Sequence, residues 1–84
     1  MNRISFNIPN ISQVLLYYDR AKVYRADTET GTYAEITDLA TRVVLVPAKT
    51  VYYYEDAQGS PTHWYKVAYY NSTTFHERAP SPPP

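Results

Sequence analysis

Few side chains in this sequence have the types and spacing that chemistry requires. His63 and His76 are the two histidines, the residue type that most often serves as an acid, a base or a metal ligand, and they lie in different segments. Glu77 beside His76 is the one neighbour that could add a second metal ligand, which is too few for a metal site. Glu55 and Asp56 are adjacent, so a strand would direct them to opposite faces. The sequence therefore predicts neither a metal site nor a catalytic pair of carboxylates.

Nucleophiles and phosphate-binding loops are missing as well. The serines at positions 60, 72 and 81 lie outside any Gly-x-Ser-x-Gly elbow, and the chain has no cysteine. Gly31 and Gly59 are its two glycines, and they do not form a phosphate loop. The sequence therefore predicts a protein that is not an enzyme and needs no cofactor.

Size and charge limit the partners. A chain of 84 residues is long enough for one domain. Eight basic residues balance eight acidic ones, so the charge expected of a nucleic-acid or anionic-membrane binder is absent. The opening "MNRISFNIPN" has no apolar signal region, and no run of about 18 apolar residues could span a membrane. We expect no nucleic acid, no membrane and synthesis in the cytoplasm without a signal peptide.

Alternation of apolar and polar residues predicts strands along most of the chain. Ile4, Phe6 and Ile8 alternate with polar residues before Pro9, as in a half-buried first strand. Further strands are indicated at 22–26, 32–36, 41–46, 50–57, 63–71 and 75–79. We expect the second and third of these seven strands to form a hairpin and the strand at 41–46 to be covered on both faces. The two aromatic strands, 50–57 and 63–71, are expected to pair across "QGSP".

Residues 10–18 change the period. Apolar residues fall at i, i+3, i+4 and i+7 from Ile11 to Tyr18, and Asn10 with Gln13 has the form of a capping box. This pattern predicts a short helix from Asn10 to Tyr18. A strand with Val14, Leu16 and Tyr18 on one face is the alternative.

The aromatic residues form the one concentrated feature, with ten Tyr, two Phe and one Trp. On paired strands half of the rings point outward whichever register holds, so some aromatic surface is exposed or covered by a partner. Exposed aromatics mark protein interfaces and also sugar-stacking platforms. The candidate contact residues are Tyr52, Tyr54, Trp64, Tyr70, Phe75 and Pro82.

The segments "VYRADTETGTYAEI", "VYYYEDAQGSPTHWYKVAYYN" and "APS" together resemble a fibronectin type III-like domain of the bacterial and phage kind. The resemblance covers about residues 22–81. It implies a mainly β fold, a small antiparallel β-sandwich over residues 1–79. The change of period adds one short helix that replaces or truncates a strand, and "PSPPP" predicts a Pro-rich tail at 80–84. The resemblance also implies inward Tyr65, Val67 and Tyr69 and outward Trp64, Ala68 and Tyr70.

The compact arrangement of a first strand closed by Pro9, a short helical segment, "DRAKVYR" and "WYKVAYYNSTT" also resembles small structural proteins of tailed phages. This second resemblance implies a non-catalytic virion protein, either a capsid decoration (cement) or minor head protein or a neck or tail component. Such a protein is made in the host cytoplasm and binds other virion proteins, as a homo-oligomer or as a subunit of a larger assembly. A carbohydrate- or cell-surface-binding accessory module is the alternative. The tail is either an arm in a neighbour's groove or a frayed end.

Overall fold

The computed structural model describes residues 1–78, which form two antiparallel β-sheets packed face to face. The elements in chain order are β1 (Asn2–Asn7), α1 (Ile11–Val14), β2 (Arg20–Ala26), β3 (Ala34–Glu35), β4 (Val43–Val44), β5 (Val51–Asp56), β6 (Trp64–Tyr70) and β7 (Glu77–Arg78). The small sheet is β1-β5, and the large sheet has the order β3-β2-β6-β7 with β4 also paired to β2. The prediction of a small, mainly β sandwich with one short helix is confirmed.

Strand β1 has the alternation that the sequence predicts. Ile4 and Phe6 are half-buried, with Phe6 packed against the core, and Ile8, just beyond the strand, is fully buried, while Arg3 and Ser5 are exposed. The partner of β1 is β5, with Phe6 opposite Tyr52. The two rings stack with their centroids 5.8 Å apart, so apolar packing fixes the register of the small sheet.

The aromatic strands β5 and β6 do not pair with each other, so that prediction is wrong. β5 pairs with β1, and β6 pairs with β2 from Arg20↔Tyr70 to Ala26↔Trp64. The connection at residues 57–63 crosses from one sheet to the other and is longer than the two to five residues, roughly, of a tight hairpin. Asp56 begins this crossing, since its carboxylate accepts the N–H of Gln58 at 3.1 Å.

The segment after β1 is helical, as predicted, but α1 covers only Ile11–Val14 and turns continue to Tyr17. The predicted capping box is absent, because the side chain of Asn10 makes no cap hydrogen bond. Ile11 and Val14 are both buried, so tertiary packing holds this short helix rather than its cap.

The remaining strands are shorter than predicted. β3 forms the expected hairpin with β2, with Tyr24 opposite Glu35. The prediction that 41–46 is covered on both faces is wrong: Leu45 is buried, but Val44 and Val46 are exposed because β4 lies at the border of the large sheet. β7 forms in the predicted last segment, whose Ala79 lies outside the described residues.

The core lies between the sheets and under α1. Its buried cluster consists of Ile8, Ile11, Val14, Ala21, Leu45 and Tyr52. Val67 and Tyr69 of β6 pack against this cluster, so the predicted inner face of β6 is confirmed there. Within residues 1–78, no helix is long and apolar enough to cross a membrane.

Candidate protein-contact site

Tyr70 lies on the outer face of the large sheet but is only 8% exposed, so its prediction as an exposed contact residue is wrong. Lys22 on β2 places its Nζ 4.2 Å from the centroid of the Tyr70 ring, and Arg42 places its Cζ 4.7 Å from it. Long basic side chains cover aromatic rings with their methylene stems and bind the ring face with their charge. Sequence alternation predicts the sheet face to which a side chain points, but not whether neighbouring side chains cover it.

Ion pairs fix this cover. The Lys22 Nζ lies 2.7 Å from the Glu77 Oε1 of β7, and the Arg42 Nε lies 2.9 Å from the Glu35 Oε2 of β3. Burial alone would raise the pKa of Glu35, but hydrogen bonds from Arg42 and Thr37 outweigh it and lower this pKa below its usual value. The charges on this face are thus paired with one another, which makes the network a structural cover rather than a reactive site.

A second polar cluster joins the two sheets. The buried carboxylate of Asp56 on β5 lies 2.8 Å from the Arg25 Nη1 of β2 and accepts the Tyr65 hydroxyl of β6, also at 2.8 Å. Burial would raise the pKa of Asp56, but these hydrogen bonds hold it below its ordinary value. A carboxylate held ionised by two partners is a poor general base. We call Asp56, Arg25 and Tyr65 the sheet clamp.

Gly59 lies directly against the sheet clamp. A Cβ built on it would come within 2.5 Å of the Asn2 Nδ2 and within 2.6 Å of the Tyr65 hydroxyl oxygen. Those two atoms bond each other at 2.8 Å, so a side chain at position 59 would break the contact. The glycine therefore serves close packing of the crossing loop. Among residues 1–78 no group of three or more His, Asp or Glu side chains could hold a metal ion.

The other candidate contact residues are distributed unevenly. Tyr52 is 1% exposed, so its prediction as a contact residue is wrong: its ring lies in the core. Tyr54 is half-buried and its hydroxyl donates to the Ile36 carbonyl at 3.4 Å. Trp64, the first residue of β6, is 41% exposed and lies opposite Ala26. Pro82 lies outside the described residues, as does the rest of the tail.

Among the candidates that lie within residues 1–78, Phe75 is the most exposed, at 72%, and its backbone has a φ of 62°. A residue with a Cβ in this left-handed region costs roughly 1 kcal/mol or more, and turns usually place Gly or Asn there. The turn between β6 and β7 imposes the conformation: the Phe75 N–H bonds the Asn71 carbonyl at 2.8 Å, and the Asn71 N–H bonds the His76 carbonyl at 2.9 Å. Because the Phe75 ring is exposed, hydrophobic burial offsets little of this conformational cost.

Two more exposed apolar residues adjoin this turn. Leu16 and Tyr17 follow α1 with most of their surfaces in solvent. The Asn71 side chain bonds the Tyr17 carbonyl at 2.8 Å, and the Ser72 N–H bonds the Asp19 carboxylate at 2.8 Å. The turn and the segment after α1 are therefore held together. We call Leu16, Tyr17 and Phe75 the end patch.

Comparison with protein-family models, with curated proteins and with solved structures finds no match to this chain. The fold and the end patch therefore have to be interpreted from their own chemistry.

Leu16 and Tyr17 were missed by the sequence analysis. The helical periodicity places Ile11, Val14, Leu15 and Tyr18 on one face. Leu16 and Tyr17 are the apolar residues outside that set, and this was the available signal for an exposed apolar pair. His63 has no role in the patch. Its Nδ1 accepts the Ser60 N–H at 3.0 Å, which fixes the loop before β6.

Proposed function

We propose that this chain is a non-catalytic structural protein that binds other proteins through the end patch. The observation that carries the proposal is Phe75, a large apolar side chain held in solvent by a strained backbone. Strained conformations persist where the surrounding structure imposes them, and they cluster at functional sites. We further propose that the assembly is a bacteriophage particle, in which the chain is a capsid decoration or minor head protein or a neck or tail component. That part depends on the sequence resemblance.

The end patch has the composition of an interface centre. Aromatic residues are enriched at protein interfaces, and a few of them in well-packed pockets supply most of the binding free energy. Tyr17 and Phe75 are exposed aromatic residues, and Leu16, which precedes Tyr17 in the chain, adds an exposed aliphatic side chain. A partner with an apolar pocket fits this chemistry.

The patch is also preorganised. Asn71 holds the turn of Phe75 with its backbone and the Tyr17 carbonyl with its side chain. Asp19 accepts the Ser72 N–H and its hydroxyl, which anchors the same turn to the start of β2. Because these segments are already ordered, less conformational entropy is lost when a partner binds.

Co-sedimentation of the purified chain with assembled particles tests the proposal, with Phe75→Gly as the variant. Removal of one interface anchor costs about 2 kcal/mol, so we expect roughly thirtyfold weaker binding. Leu39→Ala is the matched control, since Leu39 is 84% exposed in the loop between β3 and β4, outside the end patch. The control should bind as the wild type does.

Two outcomes would contradict the proposal. Wild-type affinity of Phe75→Gly would remove the end patch as the binding site. Failure of the wild-type chain to bind particles, together with binding to a glycan array, would replace the structural role with carbohydrate recognition.

A further inference from the structure

Strand β1 has one edge that pairs with β5 and a second edge that pairs with no strand among residues 1–78. The Ile8 N–H bonds the Thr50 carbonyl at 2.7 Å, which sets the phase of the ladder. In an antiparallel pair, alternate residues direct their N–H and C=O groups to opposite edges. Ile4 and Phe6 therefore bond β5, while Arg3, Ser5 and Asn7 direct their backbone groups to the free edge.

This edge lacks the features that normally prevent pairing. β1 runs without a bulge from Asn2↔Asp56 to Asn7↔Val51 and contains no proline. Its one charged residue, Arg3, lies 2.8 Å from Glu55 within the same sheet. Natural proteins blunt edge strands with prolines, bulges, charges or short length. Short length protects other strands in the described part of the chain: β3, β4 and β7 have two residues each. β4 also contacts β5.

We propose that the free edge of β1 pairs antiparallel with β1 of a second copy of this chain, about a two-fold axis at Ser5. The two small sheets then merge into one sheet with the order β5-β1-β1-β5. This surface is separate from the end patch, which lies on the turns after α1 and β6, so the inference goes beyond the proposed function and does not depend on it.

The sequence of β1 is self-complementary in this register. Arg3 lies opposite Asn7 of the second copy and Ser5 opposite Ser5, and each such pair exchanges two backbone hydrogen bonds. Like charges directly opposite each other would destabilise the pair, and this register contains none. On the inner face Ile4 lies opposite Phe6 of the second copy, an apolar pair next to the core. The contact is isologous and closed, so it ends at a dimer.

Other registers are worse for stated reasons. A shift by two residues toward the C-terminus places Arg3 opposite Pro9, which has no N–H to donate. A shift by two residues in the other direction places Asn7 opposite Met1, at the end of the chain. A further shift that way places Arg3 opposite Arg3. The register centred on Ser5 pairs all three outward-directed residues of the strand with outward-directed residues of the same strand in the second copy.

Ser5→Pro is the decisive variant. The Ser5 N–H points away from β5, so proline removes a donor from the free edge and leaves the ladder within the chain intact. Ser5→Thr is the matched control, since it keeps the N–H and suits a strand. Sedimentation equilibrium of the full chain over a concentration series should give twice the 9.7 kDa monomer mass for the wild type and for Ser5→Thr. Ser5→Pro should raise the dimer dissociation constant at least about tenfold.

A pair of charge variants tests the register without any change in backbone chemistry. Asn7 is exposed, so neither variant disturbs the core. Asn7→Arg places a second positive charge opposite Arg3 and should weaken the dimer. Asn7→Glu places a negative charge opposite Arg3 and should strengthen it. A wild type that stays monomeric at millimolar concentration would overturn the proposal. So would a dimer that is indifferent to both position 5 and position 7. Phe75→Gly should dimerise as the wild type does, which separates this surface from the end patch.

Discussion

The hydroxyl of Tyr52 holds the turn between β4 and β5. It accepts the Val46 N–H at 3.0 Å and donates to the Lys49 carbonyl at 2.7 Å, while its ring stacks on Phe6 in the core. Tyr52→Phe keeps the ring but leaves the Val46 N–H without this partner, so we expect a loss of about 1 to 3 kcal/mol of unfolding free energy. Urea denaturation measures the loss. Tyr53→Phe, at an exposed position of the same strand, should leave stability unchanged.

Phe75 allows a prediction of opposite sign. Because its φ is 62° and its ring is exposed, Phe75→Gly removes backbone strain and loses little burial. We expect the unfolding free energy to rise by up to about 1 kcal/mol. Ala48→Gly, at a φ of 67°, should behave in the same way and serves as the control for strain alone. A marked loss of stability in Phe75→Gly would show that the ring packs on the domain and is not free for a partner.

The sheet face to which a side chain points could be predicted from the sequence only where apolar and polar residues alternate clearly. The alternation around Ile4 and Phe6 gave the inner face of β1 because Pro9 closes the run and polar residues separate them. The sequence predicts Tyr52 and Tyr70 as contact residues, but both are buried. Three consecutive tyrosines at 52–54 contain no alternation to follow. Tyr70 is covered by Arg42, which reaches it from a distant loop.

At the scale of elements, the two asparagines next to turns should differ sharply. Asn10 precedes α1 without a cap hydrogen bond, so Asn10→Ala should cost less than about 0.5 kcal/mol. The side chain of Asn71 bonds the Tyr17 carbonyl and accepts the N–H groups of Thr73 and Thr74. Asn71→Ala should therefore cost about 1 to 2 kcal/mol. Thermal unfolding of the two variants side by side tests the ranking, and equal losses would contradict it.

The strands could be located from the sequence, but of their pairings only the local β2-β3 hairpin could be predicted. Period-two alternation marks a strand by its own residues, whereas pairing depends on contacts between distant segments. β5 and β6 are neighbours in sequence and both rich in tyrosine, yet they lie in different sheets. The crossing at 57–63 is favoured by Asp56, which bonds Arg25 and Tyr65 on the opposite sheet. Arg25 and Asp56 are 31 residues apart, so no local sequence pattern predicts their ion pair.

At the scale of the whole molecule, the sheet clamp makes the unfolding free energy depend on pH in the acid range. The pKa of Asp56 is lower in the folded chain than in the unfolded one, so its contribution is fully present above about pH 4 and is lost as the pH falls through the folded pKa. Asp56→Asn should lower the unfolding free energy at pH 7 by about 2 kcal/mol or more. It should also reduce the slope of stability against pH in the acid range.

Urea midpoints at neutral pH and at about pH 3 measure both effects. Asp19 and Glu35 also have lowered pKa values, so the wild type loses their contributions in the same range. The difference between wild type and Asp56→Asn isolates the clamp. Asp27→Asn, at an exposed side chain, is the control and should follow the wild type. Parallel curves for wild type and Asp56→Asn would show that the clamp does not carry the acid dependence.

The pairing of Asn2 with Asp56 has a consequence for how the chain folds. Loop-closure entropy rises with the separation of the segments, and folds dominated by such distant pairings form in about milliseconds to seconds. The β2-β3 hairpin closes locally, whereas β1 has to wait for β5. On the ribosome, β1 emerges before β5, so the edge that β5 will occupy stays open until β5 follows. During that interval both edges of β1 are open, so nascent chains on one messenger could meet through the strand that we expect to join finished copies.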